Sequence, residues 1–223
     1  MNATHDTLLV KPLGLRGYEP VWREMQDFTA RRGQHSQDQL WLVEHPPVFT
    51  LGLNGKPEHV LDSGGIPVLN VDRGGQVTYH GPGQLVIYTL LDIQRRQLGV
   101  RELVRSLEQA IINLLASHHI AARGRADAPG VYVHESKIAA LGLRIKRGRS
   151  YHGLAFNIHM DLAPFARINP CGYADMPVTQ LHDLGVTTPF NEIRGQLVQQ
   201  LASILGYNNV LYSQATPSHE QTD

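Results

Sequence analysis

Stretches with apolar residues at helical spacing alternate along the chain with shorter stretches where they run together or alternate as in strands. Residues 7–11 predict a short strand. Over residues 18–31, Val21, Trp22, Met25, Phe28 and Thr29 recur on one helical face, and Gly33 then stops the helix. Residues 39–44 and 48–53 predict two strands parted by Pro46-Pro47. Residues 54–65 predict a loop, 67–71 a short strand, and 84–91 a longer one. Over 100–118, Leu103, Leu107, Ala110, Ile111, Leu114 and Leu115 form one apolar stripe. Strands follow at 130–134, 136–145 and 150–157, the last two a hairpin about Lys146-Arg147-Gly148-Arg149. Residues 161–168 predict a short helix capped by Asp161. Residues 189–205 predict a final one, with Ile193, Leu197, Leu201 and Ile204 on its face and Gly206 past its end. Strands fill the middle and helices flank them. This predicts one α+β domain over residues 1–213, a mixed β-sheet flanked by helices, followed by a frayed polar tail at 214–223. No repeat or low-complexity linker interrupts the pattern.

Composition changes this picture little. A chain of 223 residues is large enough for an ample core, and a formal net charge of zero argues against a strongly basic nucleic-acid binder. Arg144, Lys146, Arg147 and Arg149 form a local basic cluster, read either as a solvated hairpin tip or as a docking surface for an acidic partner. No apolar run approaches the ~20 residues of a membrane span, and the N-terminus lacks the basic and apolar regions of a secretory signal. One cysteine cannot close an internal disulfide, so the expected compartment is the cytoplasm.

The densest candidate chemistry lies in residues 73–88, RGGQVTYHGPGQLVIY. Gly74, Gly75, Gly81 and Gly83 surround Thr78, Tyr79 and His80, a pattern expected of a recognition loop whose backbone approaches a ligand closely. His80 reads either as a site residue or as a structural turn histidine. His118-His119 closes a helix, where an imidazole suits the dipole. No histidine or cysteine spacing matches a metal site, so no metal is expected. No phosphate-loop or serine-hydrolase motif occurs, and Gly52, Asn54 and Gly55 read as a plain turn.

Two further residues suggest a reaction. Cys171 stands in Asn-Pro-Cys-Gly-Tyr, where Pro170 and Gly172 favour a turn. A lone cysteine is commonly a small buried hydrophobe; on such a turn, beside bare amides, it also suits a nucleophile with an oxyanion site. Lys137 opens the small-residue stretch Ser-Lys-Ile-Ala-Ala-Leu-Gly. Strict strand alternation puts Lys137 and Ala139 on one face and Ile138, Ala140 and Gly142 on the other. It reads as an ordinary edge-strand lysine or as a cation that favours a thiolate. Free lysine titrates near ~10.4 and free cysteine near ~8.5, so a close pair favours ammonium and thiolate.

Three segments together resemble the lipoyl(octanoyl) transferase family: RGGQVTYHGPGQLVIY at 73–88, SKIAALGLRI at 136–145 with YHGLAFNI at 151–158, and NPCG at 169–172. The resemblance implies the biotin and lipoate ligase-like α+β fold. It also implies transfer of an octanoyl group from octanoyl-acyl carrier protein to a lysine of a lipoyl domain, as in 2-oxoacid dehydrogenase and glycine cleavage complexes. No cofactor, nucleic acid or membrane is implied. The family's acyl-thioester cysteine falls on Cys171 and the lysine that lowers its pKa on Lys137. Substrate-binding segments fall on Arg73, Gly74, Gly75, Gln76, Val77, Thr78, Tyr79 and His80, on Ala140, Leu141 and Gly142, and on Gly153, Leu154 and Ala155. Two alternatives stay open: an ATP-dependent lipoate ligase of the same fold, and a non-catalytic module that binds acyl groups or lipoyl domains.

Overall fold

The computed structural model describes residues 6–169 and 176–213. Its elements, in chain order, begin with β1 (Thr7–Leu15), α1 (Tyr18–Arg31), β2 (Asp38–Glu44), β3 (Val48–Leu51), β4 (Val68–Asn70), β5 (Val77–His80) and β6 (Gln84–Leu90). Then come α2 (Val100–Ser117), β7 (Arg123–Gly124), β8 (Gly130–Val133), β9 (Ser136–Lys146), β10 (Arg149–Asn157), α3 (Phe190–Ile204) and β11 (Asn209–Tyr212). Short 3₁₀ turns lie at Pro57–His59, Ala163–Arg167 and His182–Leu184.

Eight strands form one mixed sheet in the order β11-β1-β2-β6-β10-β9-β8-β7. β1 runs parallel to both β2 and β11, and every other pairing in that sheet is antiparallel. A smaller sheet, β4-β3-β5, stands apart from it. α2 and α3 cover one face of the large sheet. Leu103, Leu107, Ala110, Ile111, Leu114 and Leu115 of α2 are all buried there with Ile193, Leu197 and Leu201 of α3. Each buried leucine or isoleucine among them contributes roughly 2 kcal/mol by leaving water. On the opposite face, Tyr18, Val21 and Met25 of α1 pack with Trp41, Val86, Tyr88 and Ala155. The small sheet closes the rest of that face, and its outer side packs Phe49 and Tyr79 against Phe165 and Ile168.

The helices follow their apolar periodicity closely, and the hairpin of β9 and β10 turns at Arg147 and Gly148 as expected. The short turn expected from Asp161 starts later, at Ala163 with Leu162 in the cap position, and Asp161 Oδ1 accepts from the Ala163 amide at 2.9 Å from one residue further out. Two other expectations change. The glycine block is not one loop, because Val77–His80 is a strand paired with β3, and only its flanks are turns. The alternation expected along β9 is broken by a register shift where Val131 faces Ala139 and Tyr132 faces Lys137. Ile138 is the extra residue of that bulge. Ile138 and Ala139 both join the helix-side core, while Lys137 ends up lining the same cleft as Ala140 and Gly142. The edge strands β7 and β11 had no counterpart in the apolar pattern.

Candidate active site

Between the large sheet and the small one lies a largely apolar cleft of about 770 Å³, its open mouth included. β9 contributes Lys137, Ala139, Ala140, Leu141 and Gly142 to its wall; β10 contributes His152, Gly153, Leu154, Ala155 and Asn157; β6 contributes Gln84, Val86 and Tyr88. The cleft therefore crosses three adjacent strands, a width of about 10 Å at ~4.8 Å per step. From the glycine block, Arg73, Gly75, Gln76, Val77, Thr78 and His80 line it. Gly74 and Tyr79 do not: Tyr79 turns to the outer side of the small sheet, edge-on to Phe165.

Arg73 fastens the block. Its buried guanidinium donates to the Thr50 carbonyl at 2.6 Å, the Thr50 hydroxyl at 2.9 Å and the Gln76 carbonyl at 2.8 Å. A further bond runs to the Gly74 carbonyl at 2.9 Å. The Gly74 amide in turn donates to the Leu143 carbonyl at 2.9 Å, seating the block on β9. Gly142 makes that seat possible, since a Cβ there would stand 2.9 Å from the Gly74 oxygen.

A buried polar layer closes the cleft floor. His80 shares a 2.7 Å hydrogen bond between Nδ1 and Gln84 Oε1, and its ring stacks on Tyr18 at 5.4 Å. Gln84 donates to Asn157 Oδ1 at 2.9 Å, and Asn157 donates to the Thr179 carbonyl at 3.0 Å. The Tyr88 hydroxyl lies 2.7 Å from His45 Nε2. Burial holds the His80 imidazole well below its ordinary range and brings His45 down to about 4, so both are neutral at pH 7. Burial also pushes the Tyr18 phenol up to about 12, against the pull of Arg73.

Just before the block, Asp72 gathers Trp22 Nε1 at 2.8 Å, Gln26 Nε2 at 3.2 Å, His152 Nε2 at 2.9 Å and the Tyr151 hydroxyl. Burial alone would raise its pKa, but the bonds from His152, Tyr151 and Trp22 outweigh that and hold the carboxyl well below the usual range. His152 adopts φ +59°, the left-handed region, to bring its ring there. Tyr18, Asp72, Gln84, Tyr88, His152 and Asn157 were not singled out from the sequence. Gln84, Tyr88, His152 and Asn157 lay inside the quoted motifs, whereas Tyr18 and Asp72 carried no signal beyond helix and loop.

Lys137 is 6% exposed, and its Nζ lies 3.5 Å from the Pro129 carbonyl and 5.1 Å from the Tyr132 ring centre. Its backbone carries the segment beyond the cysteine: the Lys137 amide donates to Pro177 O at 2.8 Å, and the Thr179 amide to Lys137 O at 3.0 Å. Val178 between them lines the cleft. Upstream, the Asn169 amide donates to His59 O at 2.8 Å, and Phe165 also lines the cleft. Cys171 itself lies outside the described residues. The basic cluster sits at the other end of β9, where Lys146 is nine residues from Lys137, roughly 30 Å at ~3.3 Å per residue.

Among the described residues, no group of three or more potential metal ligands occurs and no helix is long and apolar enough to cross a membrane. Residues 18–202 match the family described as the lipoyl protein ligase A/B catalytic domain. The chain is 59% identical over 198 residues to an octanoyltransferase of Methylococcus capsulatus, a match covering 89% of this chain and 96% of that relative. Its fold is similar to that of a bi-partite lipoate protein ligase from Thermoplasma acidophilum, with a TM-score of 0.71 and 18% identity, covering 97% of this chain and 88% of that one. A biotin protein ligase from Aquifex aeolicus is more distant, with a TM-score of 0.56 and 11% identity, covering 88% and 69% of the two chains.

Proposed function

The chain belongs to the lipoyl protein ligase A/B catalytic domain family, and from that premise we propose how it carries out the octanoyl transfer for which its close relatives are named. It is an acyltransferase of lipoate biosynthesis. The donor in this reading is octanoyl-acyl carrier protein and the acceptor a lysine of a lipoyl domain, with Cys171 carrying the acyl group between them.

One observation supports this most. Lys137 and the small residues of β9 and β10 meet the glycine block around a single apolar cleft, and the described chain on both sides of Cys171 is tied to that cleft. Lys137 as a cation favours the Cys171 thiolate. The thiolate attacks the donor's thioester carbonyl, and amides near Cys171 and the glycine block stabilise the oxyanion. The carrier's sulfur leaves and takes a proton, giving an octanoyl-Cys171 thioester. The acceptor amine then attacks, the new C–N bond replaces the C–S bond, and the amine's proton passes to the departing thiolate by way of Lys137. Thioester exchange is near balance and amide formation is downhill, so the donor itself supplies the driving force. The cleft's width across three strands matches an extended eight-carbon chain. Burying about six methylenes contributes roughly 5 kcal/mol.

Thr78, His80, Ala140, Gly142, Gly153 and Ala155 would then contact the acyl group directly, while Arg73 shapes the wall. The basic cluster's distance from Lys137 argues against its being the surface that receives the carrier.

Mixing the protein with octanoyl-carrier protein, without ATP, is expected to leave an octanoyl adduct on Cys171 by mass spectrometry. Cys171→Ala is expected to remain folded and to abolish both adduct and turnover; full turnover by that variant would sink the covalent route. ATP-dependent activation is the second reading, because a lipoate-protein ligase A of similar fold is described bound with ATP. Transfer that appears only when ATP is added would establish it instead.

A further inference from the structure

We propose that Tyr132 is a positioning residue for this transfer: its buried ring face orients the Lys137 ammonium in the cleft beside the chain that leads from the cysteine. The inference rests on the roles given above to Lys137 and Cys171. Tyr132 stands directly opposite Lys137 in the pairing of β8 with β9, at the bulge that turns Lys137 into the cleft. The ammonium lies 5.1 Å from the ring centre, inside the ~6 Å over which a ring face attracts a cation. The ring is itself fixed. It is fully buried, and its hydroxyl donates to the Ala128 carbonyl at 2.8 Å. That hydroxyl also lies 3.9 Å from Met176 Sδ, so one side chain touches both the lysine and the first described residue after the cysteine.

The neighbourhood is built around this contact. Gly130 has φ +151°, and a Cβ there would come within 3.1 Å of Lys137 Cε and 2.6 Å of the Ala139 carbonyl. Glu108 of α2 holds the Gly130 amide at 2.9 Å through Oε1, and its charge also acts on Lys137. A second cation, Arg125, lies 5.1 Å from the ring centre but is anchored by Asp127 at 2.6 Å. A ring face orients an ammonium without cancelling its charge, as a carboxylate pressed against it would.

The chain's single cysteine makes the test direct, because alkylation by iodoacetamide reports one thiol. Tyr132→Phe and Tyr132→Leu both lose the hydroxyl, and only the first keeps the ring. The phenylalanine variant is expected to keep the wild-type midpoint of alkylation rate against pH and the wild-type rate of octanoyl-adduct formation. The leucine variant is expected to raise the midpoint by about one pH unit and to slow adduct formation about tenfold at pH 7. Identical midpoints and rates in the two variants would overturn the proposal. Should the leucine variant not fold, stepwise fluorination of the ring in Tyr132→Phe weakens the face at nearly constant shape. A midpoint that fails to climb with fluorination counts equally against it. Lys137→Ala is the control: an unchanged midpoint there removes the role of Lys137 itself, whatever Tyr132 does.

Discussion

Arg73 shows what a single residue does here. Its guanidinium bridges a strand carbonyl, a hydroxyl and two carbonyls of the glycine block, a fork that one ammonium cannot reproduce. Arg73→Lys is therefore expected to cost about 2 kcal/mol in urea unfolding and to slow octanoyl transfer through loss of cleft shape. Unchanged stability in that variant would mean that the block is held by its backbone alone. Gly142→Ala attacks the same seat from β9, placing a Cβ 2.9 Å from the Gly74 oxygen and 3.1 Å from Arg73 Cδ. It should destabilise by about 1–3 kcal/mol. The family resemblance put Arg73 among the expected site residues. Its partner Thr50 was invisible, because a hydrogen bond between an arginine and a carbonyl 23 residues away follows no period. The same holds for Lys137: its small neighbours advertised a strand, but the bulge that sets its direction is a property of β8 and β9 paired, which neither segment encodes alone.

Among elements, those legible from sequence are the ones whose stability comes from burying a face. α1 and α2 carry apolar stripes that the structure buries, and β6 is buried along its whole length. β11 is held by backbone pairing to β1 and keeps mostly exposed side chains, so no apolar rhythm announces it. What fixes that end of the sheet is instead a polar knot at Asp38, at the start of β2. Its carboxylate takes Arg32 from the end of α1 at 2.6 Å, Arg95 at 2.7 Å, the Asp92 amide at 2.7 Å and the Tyr207 hydroxyl ahead of β11 at 2.8 Å. Burial works against the ionised form, but the Asp92 amide and Arg32 overcome it and keep the carboxyl below its usual range. Asp38→Asn would leave a buried guanidinium without its counter-charge, a loss of about 3 kcal/mol. Urea midpoints for Asp38→Asn and for Tyr207→Phe separate the ionic part from the hydroxyl's. A loss under 1 kcal/mol in the first would show that neighbouring carbonyls suffice for Arg32.

At the scale of the whole molecule, the cleft floor makes folding sensitive to acid. His45, His80 and His152 are all buried on the site side, and burial lowers the pKa of each. In the folded chain His45 takes a proton only near pH 4, whereas an unfolded chain takes it near ~6.5. Falling pH therefore protonates the unfolded state first. Stability that is complete above about pH 6.5 erodes until pH reaches about 4, where the His45 contribution levels off. From pH 7 to pH 5 that one residue removes roughly 2 kcal/mol, and His80 and His152 act in the same direction. The depressed carboxyls of Asp72 and Asp38 begin to matter only below about pH 4, so the two groups of losses follow in sequence instead of offsetting each other. Urea unfolding at pH 7 and pH 5 should thus show a drop in midpoint at constant slope. His45 Nδ1 lies 2.7 Å from the Arg16 carbonyl and Nε2 2.7 Å from the Tyr88 hydroxyl; His45→Gln keeps a donor and an acceptor there but does not titrate, so it should lose about 2 kcal/mol less over the same interval. An equal drop in both proteins would mean that His45 is protonated in the fold at pH 5.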